Sequence, residues 1–182
     1  MASDDFERRL PQPEQLHAMD EGNLKAAFAG ESQAAEKYLV WAEKADDEGY
    51  PNVAKLFRAI SFAETRHARN HLRVMDGVGS TADNLAAAFG GESFEIDEMY
   101  PAYAEVAKEQ GDTQARRTIR FALKAEIDHK RMYAEAREKV VGGSDIAAEA
   151  VSVCLVCGHT VIGGVPDKCP VCAAPRSMYK TF

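Results

Sequence analysis

The sequence predicts an all-α bundle of four helices followed by a small β domain built around metal knuckles, and three observations carry this. Glu64-Thr65-Arg66-His67 and Glu126-Ile127-Asp128-His129 repeat one carboxylate–imidazole pair 62 positions apart. On a helix, residues three apart project from one face toward one point. Upstream of each pair, Ala26-Ala27-Phe28-Ala29-Gly30-Glu31-Ser32 recurs nearly unchanged as Ala87-Ala88-Phe89-Gly90-Gly91-Glu92-Ser93. One helical hairpin is therefore present twice. Finally, all four cysteines fall in the last 29 residues, as Cys154-Leu155-Val156-Cys157 and Cys169-Pro170-Val171-Cys172.

Residues 1–19 carry Pro11 and Pro13 and no sustained periodicity, so they read as an extension with at most one short helix. The predicted bundle spans 20–141. Its first helix, Asp20 to Asp47, sets Leu24, Phe28, Glu31, Ala35, Tyr38 and Ala42 at three- and four-residue steps. Gly49-Tyr50-Pro51 breaks it. The second helix, Asn52 to Met75, presents Val53, Leu56, Phe57, Ile60, Glu64, His67 and His71 on one face. After the connector 76–83, a third helix from Asn84 to Gln110 is expected to bend at Pro101. Gly111-Asp112 forms a tight turn. The fourth helix runs from Thr113 to Val140 through Ile119, Ala122, Glu126, His129 and Tyr133.

Gly142-Gly143-Ser144 opens a linker, 142–150, that allows a short helical spur. From 151 to 182 the composition changes, with Val151-Ser152-Val153 and Thr160-Val161-Ile162 favouring strands. So small a domain cannot rest on an apolar core alone, and bound metal must supply much of its stability.

The chain has 182 residues, 46% of them apolar, and a formal charge of −7, which argues against disorder and against general nucleic-acid binding. No apolar run approaches the ~20 residues needed to cross a bilayer, and Met1 to Arg9 lacks the apolar stretch of a signal peptide. A cytoplasmic protein without membrane partners is expected. In a reducing compartment, paired Cys-x-x-Cys knuckles hold a metal rather than form disulfides.

Glutamates and histidines inside apolar stripes would be costly to bury unpaired, and closely set carboxylates cannot all ionise. Two cations remove the difficulty. The donor pattern of Glu, about thirty residues, then Glu-x-x-His, given twice, is that of a ferritin-like dinuclear carboxylate site. Hard oxygen donors with one imidazole per metal suit iron or manganese, with zinc allowed at one position. In the symmetric reading, Glu64 and Glu126 bridge, Glu31 and Glu92 bind terminally, and His67 and His129 add one nitrogen each. Glu95 breaks the symmetry, since Ala34 occupies the matching position. It is either a seventh donor or a solvated helix carboxylate, as Glu98 is one turn further on. His71 reads as a supporting or surface group, and His17 as surface. Tyr38, Tyr100, Tyr103 and Tyr133 are core aromatics by default; Tyr38 and Tyr100 are candidates for hydrogen-bonding to a metal-bound oxygen species.

From Asn23 onward the chain resembles the rubrerythrins. Ala27 to Ser32, Glu64-x-x-His67, Gly91-Glu92-x-x-Glu95-x-x-Glu98-Met99-Tyr100-Pro101, Glu126-x-x-His129 and the two knuckles carry the resemblance. It implies that Glu31, Glu64, His67, Glu92, Glu95, Glu126 and His129 hold two non-haem irons, with His67 and Glu95 exchanging on one iron as its oxidation state changes. Glu98 is not carried over. The Cys154, Cys157, Cys169 and Cys172 site, with Gly158 after the first knuckle and Pro170 inside the second, resembles rubredoxin and implies one iron, with structural zinc as the alternative. His159 is read as structural.

The implied function is a diiron peroxidase that reduces hydrogen peroxide to water. Electrons would be relayed through the cysteine centre from a separate donor, a rubredoxin or an NAD(P)H-dependent reductase, because no nucleotide-binding fingerprint occurs. An iron-handling ferroxidase is the alternative. A non-catalytic zinc protein would leave the glutamates in the apolar stripes unexplained. Because ferritin-like bundles run their second and third helices parallel, the short connector also predicts a segment-swapped homodimer, each bundle pairing one subunit's first hairpin with the other's second.

Overall fold

The computed structural model describes residues 9–182. In chain order it contains α1 (Ala18–Asp47), α2 (Pro51–Val74), α3 (Thr81–Phe94), a π-helical turn (Glu95–Met99) and α4 (Tyr100–Glu109). These are followed by α5 (Thr113–Val141), β1 (Val151–Cys154), β2 (Thr160–Ile162), a 3-10 turn (Arg176–Met178) and β3 (Tyr179–Thr181). The fold is mainly helical with a small C-terminal strand region and cysteine knuckles, as the sequence predicts. Two compact units part between Gly79 and Ser80.

Of the predicted extension 1–19, residues 1–8 lie outside the described residues, and 9–17 contain no helix. In the first unit, α1 and α2 form a hairpin. Gly49, at φ 81°, closes α1 through Gly49 N–H to Asp46 O (2.9 Å) and Tyr50 N–H to Ala45 O (2.7 Å). This Schellman motif satisfies the last carbonyls, and Pro51 then opens α2 where no N–H is needed. Small residues let the two helices approach closely: Ala35, Ala42, Ala45, Ala54, Ser61 and Ala68 are buried. The Ser61 hydroxyl donates to Ala35 O at 2.9 Å, a buried bond worth about 1 kcal/mol. Phe57 packs on the alanines and meets Trp41 edge-on and Tyr38 at a tilt. Leu39, Val40, Trp41, Val53, Leu56 and Phe62 of this hairpin are exposed.

In the second unit, α3, the π turn and α4 pack along α5. The third helix begins at Thr81 rather than Asn84 because Ser80 caps it, its hydroxyl accepting from Asp83 N–H at 3.2 Å. Where a bend is expected at Pro101, the structure has a π turn just before the proline. Proline donates no N–H to the carbonyl four residues back, and Tyr100 N–H reaches Glu95 O, one residue further than in an α-helix. The π turn contains both Glu95 and Glu98.

Residues 142–150 contain no helix, so the short spur allowed by their sequence does not form. The terminal domain is a three-stranded antiparallel sheet in the order β2-β1-β3. Val151 pairs with Ile162 and Cys154 with Tyr179. Strand β3 is an element that sequence periodicity does not reveal. Among the described residues, no helix is long and apolar enough to cross a membrane.

Candidate metal centres

Each unit builds its own cluster of potential metal donors. In the first, Glu31 on α1 and Glu64 and His67 on α2 bring their ligand atoms within 4.8 Å of one another. His67 Nδ1 lies 2.9 Å from Glu64 Oε2 and 3.9 Å from Glu31 Oε1. In the second unit, Glu92 on α3 and Glu126 and His129 on α5 form the matching cluster within the same limit. There His129 Nδ1 stands 2.5 Å from Glu126 Oε2. The two clusters come from corresponding positions of the repeated hairpin.

An octahedral ion with bonds of about 2.1 Å separates its ligand atoms by roughly 3 to 4.2 Å, so each trio fits a cation with small side-chain adjustments. Electrostatics in the second cluster point the same way. Burial, a hydrogen bond with Glu126, and the charges of Glu126 and Glu95 push Glu92 up to about 7. Glu95 is also raised, by burial and by Glu126. Closely set carboxylates hold on to protons until a cation replaces them. Tyr100 belongs to this neighbourhood: burial and the charges of Glu95, Glu126 and Glu92 raise its phenol. Tyr38 instead sits in the aromatic group with Trp41 and Phe57.

The four cysteines form the third cluster. Cys154 and Cys172 sulfurs are 3.7 Å apart, and Cys157 and Cys169 sulfurs 3.5 Å, too far for disulfides. A tetrahedral ion with metal–sulfur bonds of about 2.3 Å has edges of roughly 3.8 Å, so the thiols fit one. Gly158 and Ala173, which follow the second cysteine of each knuckle, have φ of 78° and 61° and curl the backbone around the sulfurs. Cys157 is raised, with burial the largest cause, whereas Cys169 falls to about 6. Burial opposes that fall, but hydrogen bonds from the Tyr179 hydroxyl and the Cys172 and Val171 amides outweigh it.

Residues 22–137 match the rubrerythrin family model, and residues 153–180 match the rubrerythrin rubredoxin-like domain. The chain belongs to the rubrerythrin family. It is 35% identical to rubrerythrin-2 of Clostridium acetobutylicum over 180 residues, covering 91% of this chain and 98% of that one. It is 34% identical to the rubrerythrin of Porphyromonas gingivalis, covering 88% of each. Among solved structures, fully reduced, all-ferrous nigerythrin aligns with a TM-score of 0.54 at 28% identity, covering all of this chain and 92% of that one.

In this rubrerythrin-family chain, the rubredoxin-like domain touches one candidate helical donor, His129. Thr160 Oγ1 donates to Gly158 O at 3.0 Å, which spends its only hydrogen. It therefore accepts from His129 Nε2–H at 2.8 Å, and Nδ1 is left facing Glu92 and Glu126. Beside it, buried His159 meets the Tyr179 hydroxyl at 2.8 Å through Nδ1 and Asp128 Oδ2 at 3.7 Å through Nε2. Thr160, Asp128 and Tyr179 have no motif to mark them. They matter because of how the small domain docks on α5, which spacing along the chain does not encode.

Proposed function

We propose that this chain is a non-haem diiron peroxidase that reduces hydrogen peroxide to two waters, using electrons relayed through the Cys154, Cys157, Cys169 and Cys172 centre. The observation that supports the reading is the Thr160–His129 bond: within one chain, the domain that carries the four cysteines is packed against His129, a candidate donor of the helical site. Iron storage has no use for such a contact. The proposed diiron ligands are Glu31, Glu64, His67, Glu92, Glu95, Glu126 and His129. The four thiolates hold a single iron. Free thiols throughout suit a cytoplasmic setting.

Iron held by these glutamates and histidines would supply the two electrons that cleave the O–O bond. The protein's own groups handle protons and position. Two protons are needed per peroxide, and the Tyr100 phenol, beside Glu95, Glu126 and Glu92, is placed to pass protons to the site. Thr160 holds the His129 ring so that Nδ1 keeps its lone pair for metal. The donor that refills the cysteine centre is a separate protein, such as a rubredoxin or an NAD(P)H-dependent reductase.

A homodimer with exchanged hairpins completes the reading, since each half-set supplies only three donors. Glu64 to the end of α2 at Val74 is about 15 Å, and the start of α3 at Thr81 to Glu92 about 16 Å, along the helix axes. Seven Cα steps from Val74 to Thr81 reach at most about 25 Å, less than that sum. Parallel α2 and α3 at one metal site would therefore come from different subunits. The exposed Leu39, Val40, Trp41, Val53, Leu56 and Phe62 offer apolar surface for that exchange.

The test is metal content and an optical spectrum of protein purified without added metal, then anaerobic reduction and one addition of peroxide. About three irons per chain, with thiolate bands that bleach on reduction and return with peroxide, is the expected result. Zinc in the tail with no peroxide-driven reoxidation would overturn it in favour of iron handling.

A further inference from the structure

The chain carries a net charge of −7, yet one groove on its surface is strongly basic. Thr113, Arg116, Arg117, Arg120, Phe121 and Lys124 of α5 line it together with Val171, enclosing about 290 Å³. The four cationic residues are exposed, and none forms a salt bridge with a described carboxylate. The anion that Arg116 influences, Glu105, is already held by Lys108 Nζ at 2.7 Å. Arg117 lies over the Phe121 ring, 5.3 Å from its centroid, which keeps that guanidinium at the groove. Nothing in the peroxide chemistry uses these cations.

The wall at Val171 gives the groove its meaning. Val171 sits between Cys169 and Cys172, and its backbone amide hydrogen-bonds to the Cys169 sulfur. An apolar knuckle residue, Val171, beside four exposed cations of α5 suits brief docking of a protein whose own rim is acidic, with charge speeding the encounter and the knuckle providing the contact.

We propose that the groove of Arg116, Arg117, Arg120 and Lys124, walled by Phe121 and Val171, is the docking surface for an acidic one-electron carrier protein. The proposal rests on the electron-delivery reading above. The carrier's reduced centre loses one electron, the ferric ion held by the four thiolates gains it, and no bond breaks. Val171 brings the docked protein next to Cys169 and shortens the transfer.

The experiment uses the iron-loaded full chain and an acidic rubredoxin as probe. Stopped-flow absorbance follows reduction of the cysteine centre by reduced rubredoxin, and calorimetry measures binding of the oxidised form. Between about 20 mM and 0.5 M salt the bimolecular rate and the affinity should both fall steeply. In the double variant Arg116→Glu with Arg120→Glu, the rate at low salt should fall on the order of tenfold or more, while reduction by dithionite is unchanged. Equal rates in wild type and variant, or no salt dependence, would overturn the proposal. Direct bleaching of the centre by NADH in wild type but not in the variant would also overturn it, making a dinucleotide the occupant. Peroxide reoxidation after dithionite reduction reads the proposed activity without any carrier, so loss of one result leaves the other interpretable.

Discussion

His129 Nε2 lies 2.8 Å from Thr160 Oγ1, and the threonine hydroxyl spends its hydrogen on Gly158 O. A candidate metal donor of α5 is thereby tied, through Thr160, to Gly158, the residue that follows Cys157. Thr160→Val keeps shape and removes the acceptor, leaving the imidazole free to take the other tautomer. Retention of iron at the helical site against a chelator should weaken about 10- to 100-fold, and Thr160→Ser should restore it. Equal iron retention in wild type and Thr160→Val would show that the bond is incidental.

The pH dependence follows from Glu92, which stands at about 7 against an ordinary value of 4.5 because of burial and the Glu126 and Glu95 carboxylates. A carboxyl raised on folding contributes stability that is fully present below its unfolded value and lost as pH rises through its folded one. Metal-free protein should therefore lose thermal stability between about pH 5 and 7.5, and Glu92→Gln should flatten that slope. Added ferrous iron reverses the trend, since the cation takes the proton's place. Thermal melts with and without metal check both signs.

Much of this architecture is legible along the chain. The glycines at 49 and 111 mark the hairpin turns because only a left-handed residue closes those helices, and the repeat of Glu31, Glu64 and His67 as Glu92, Glu126 and His129 marks the two donor clusters. The start of α3 expected at Asn84 falls too late, because the Ser80 hydroxyl caps Asp83 N–H and opens the helix at Thr81. Other features were not legible. The π turn at Glu95–Met99 depends on where the hydrogen bonds displaced by Pro101 go, and the Thr160–His129 and Asp128–His159 contacts depend on a small domain docking against α5.

Tyr179 gives a separate handle on the cysteine centre. Its hydroxyl hydrogen-bonds to the Cys169 sulfur and helps hold that thiol down at about 6. Tyr179→Phe removes the donor, so the Cys169 thiol rises and more electron density stays on the ion. The reduction potential of the iron-loaded centre should move negative, as it does when hydrogen bonds to ligating sulfurs are lost. The thiolate set should also need higher pH to load metal. A potential unchanged by optical redox titration would show that the tyrosine acts only through His159, which it meets at 2.8 Å.

The exchange of hairpins has a genetic test that does not depend on overall shape. Glu64→Ala disables the first hairpin's donors and Glu126→Ala the second's. Each variant alone should lack an intact helical iron site. When the two are co-expressed and mixed dimers are isolated with separate tags, exchange unites the wild-type first hairpin of one chain with the wild-type second hairpin of the other, so one whole site of two is regained. Without exchange, every site in the mixed dimer carries one alanine and none is regained. Iron content and peroxide-driven reoxidation near half of the wild-type level would establish the swap, and no recovery would show that each chain closes its own site.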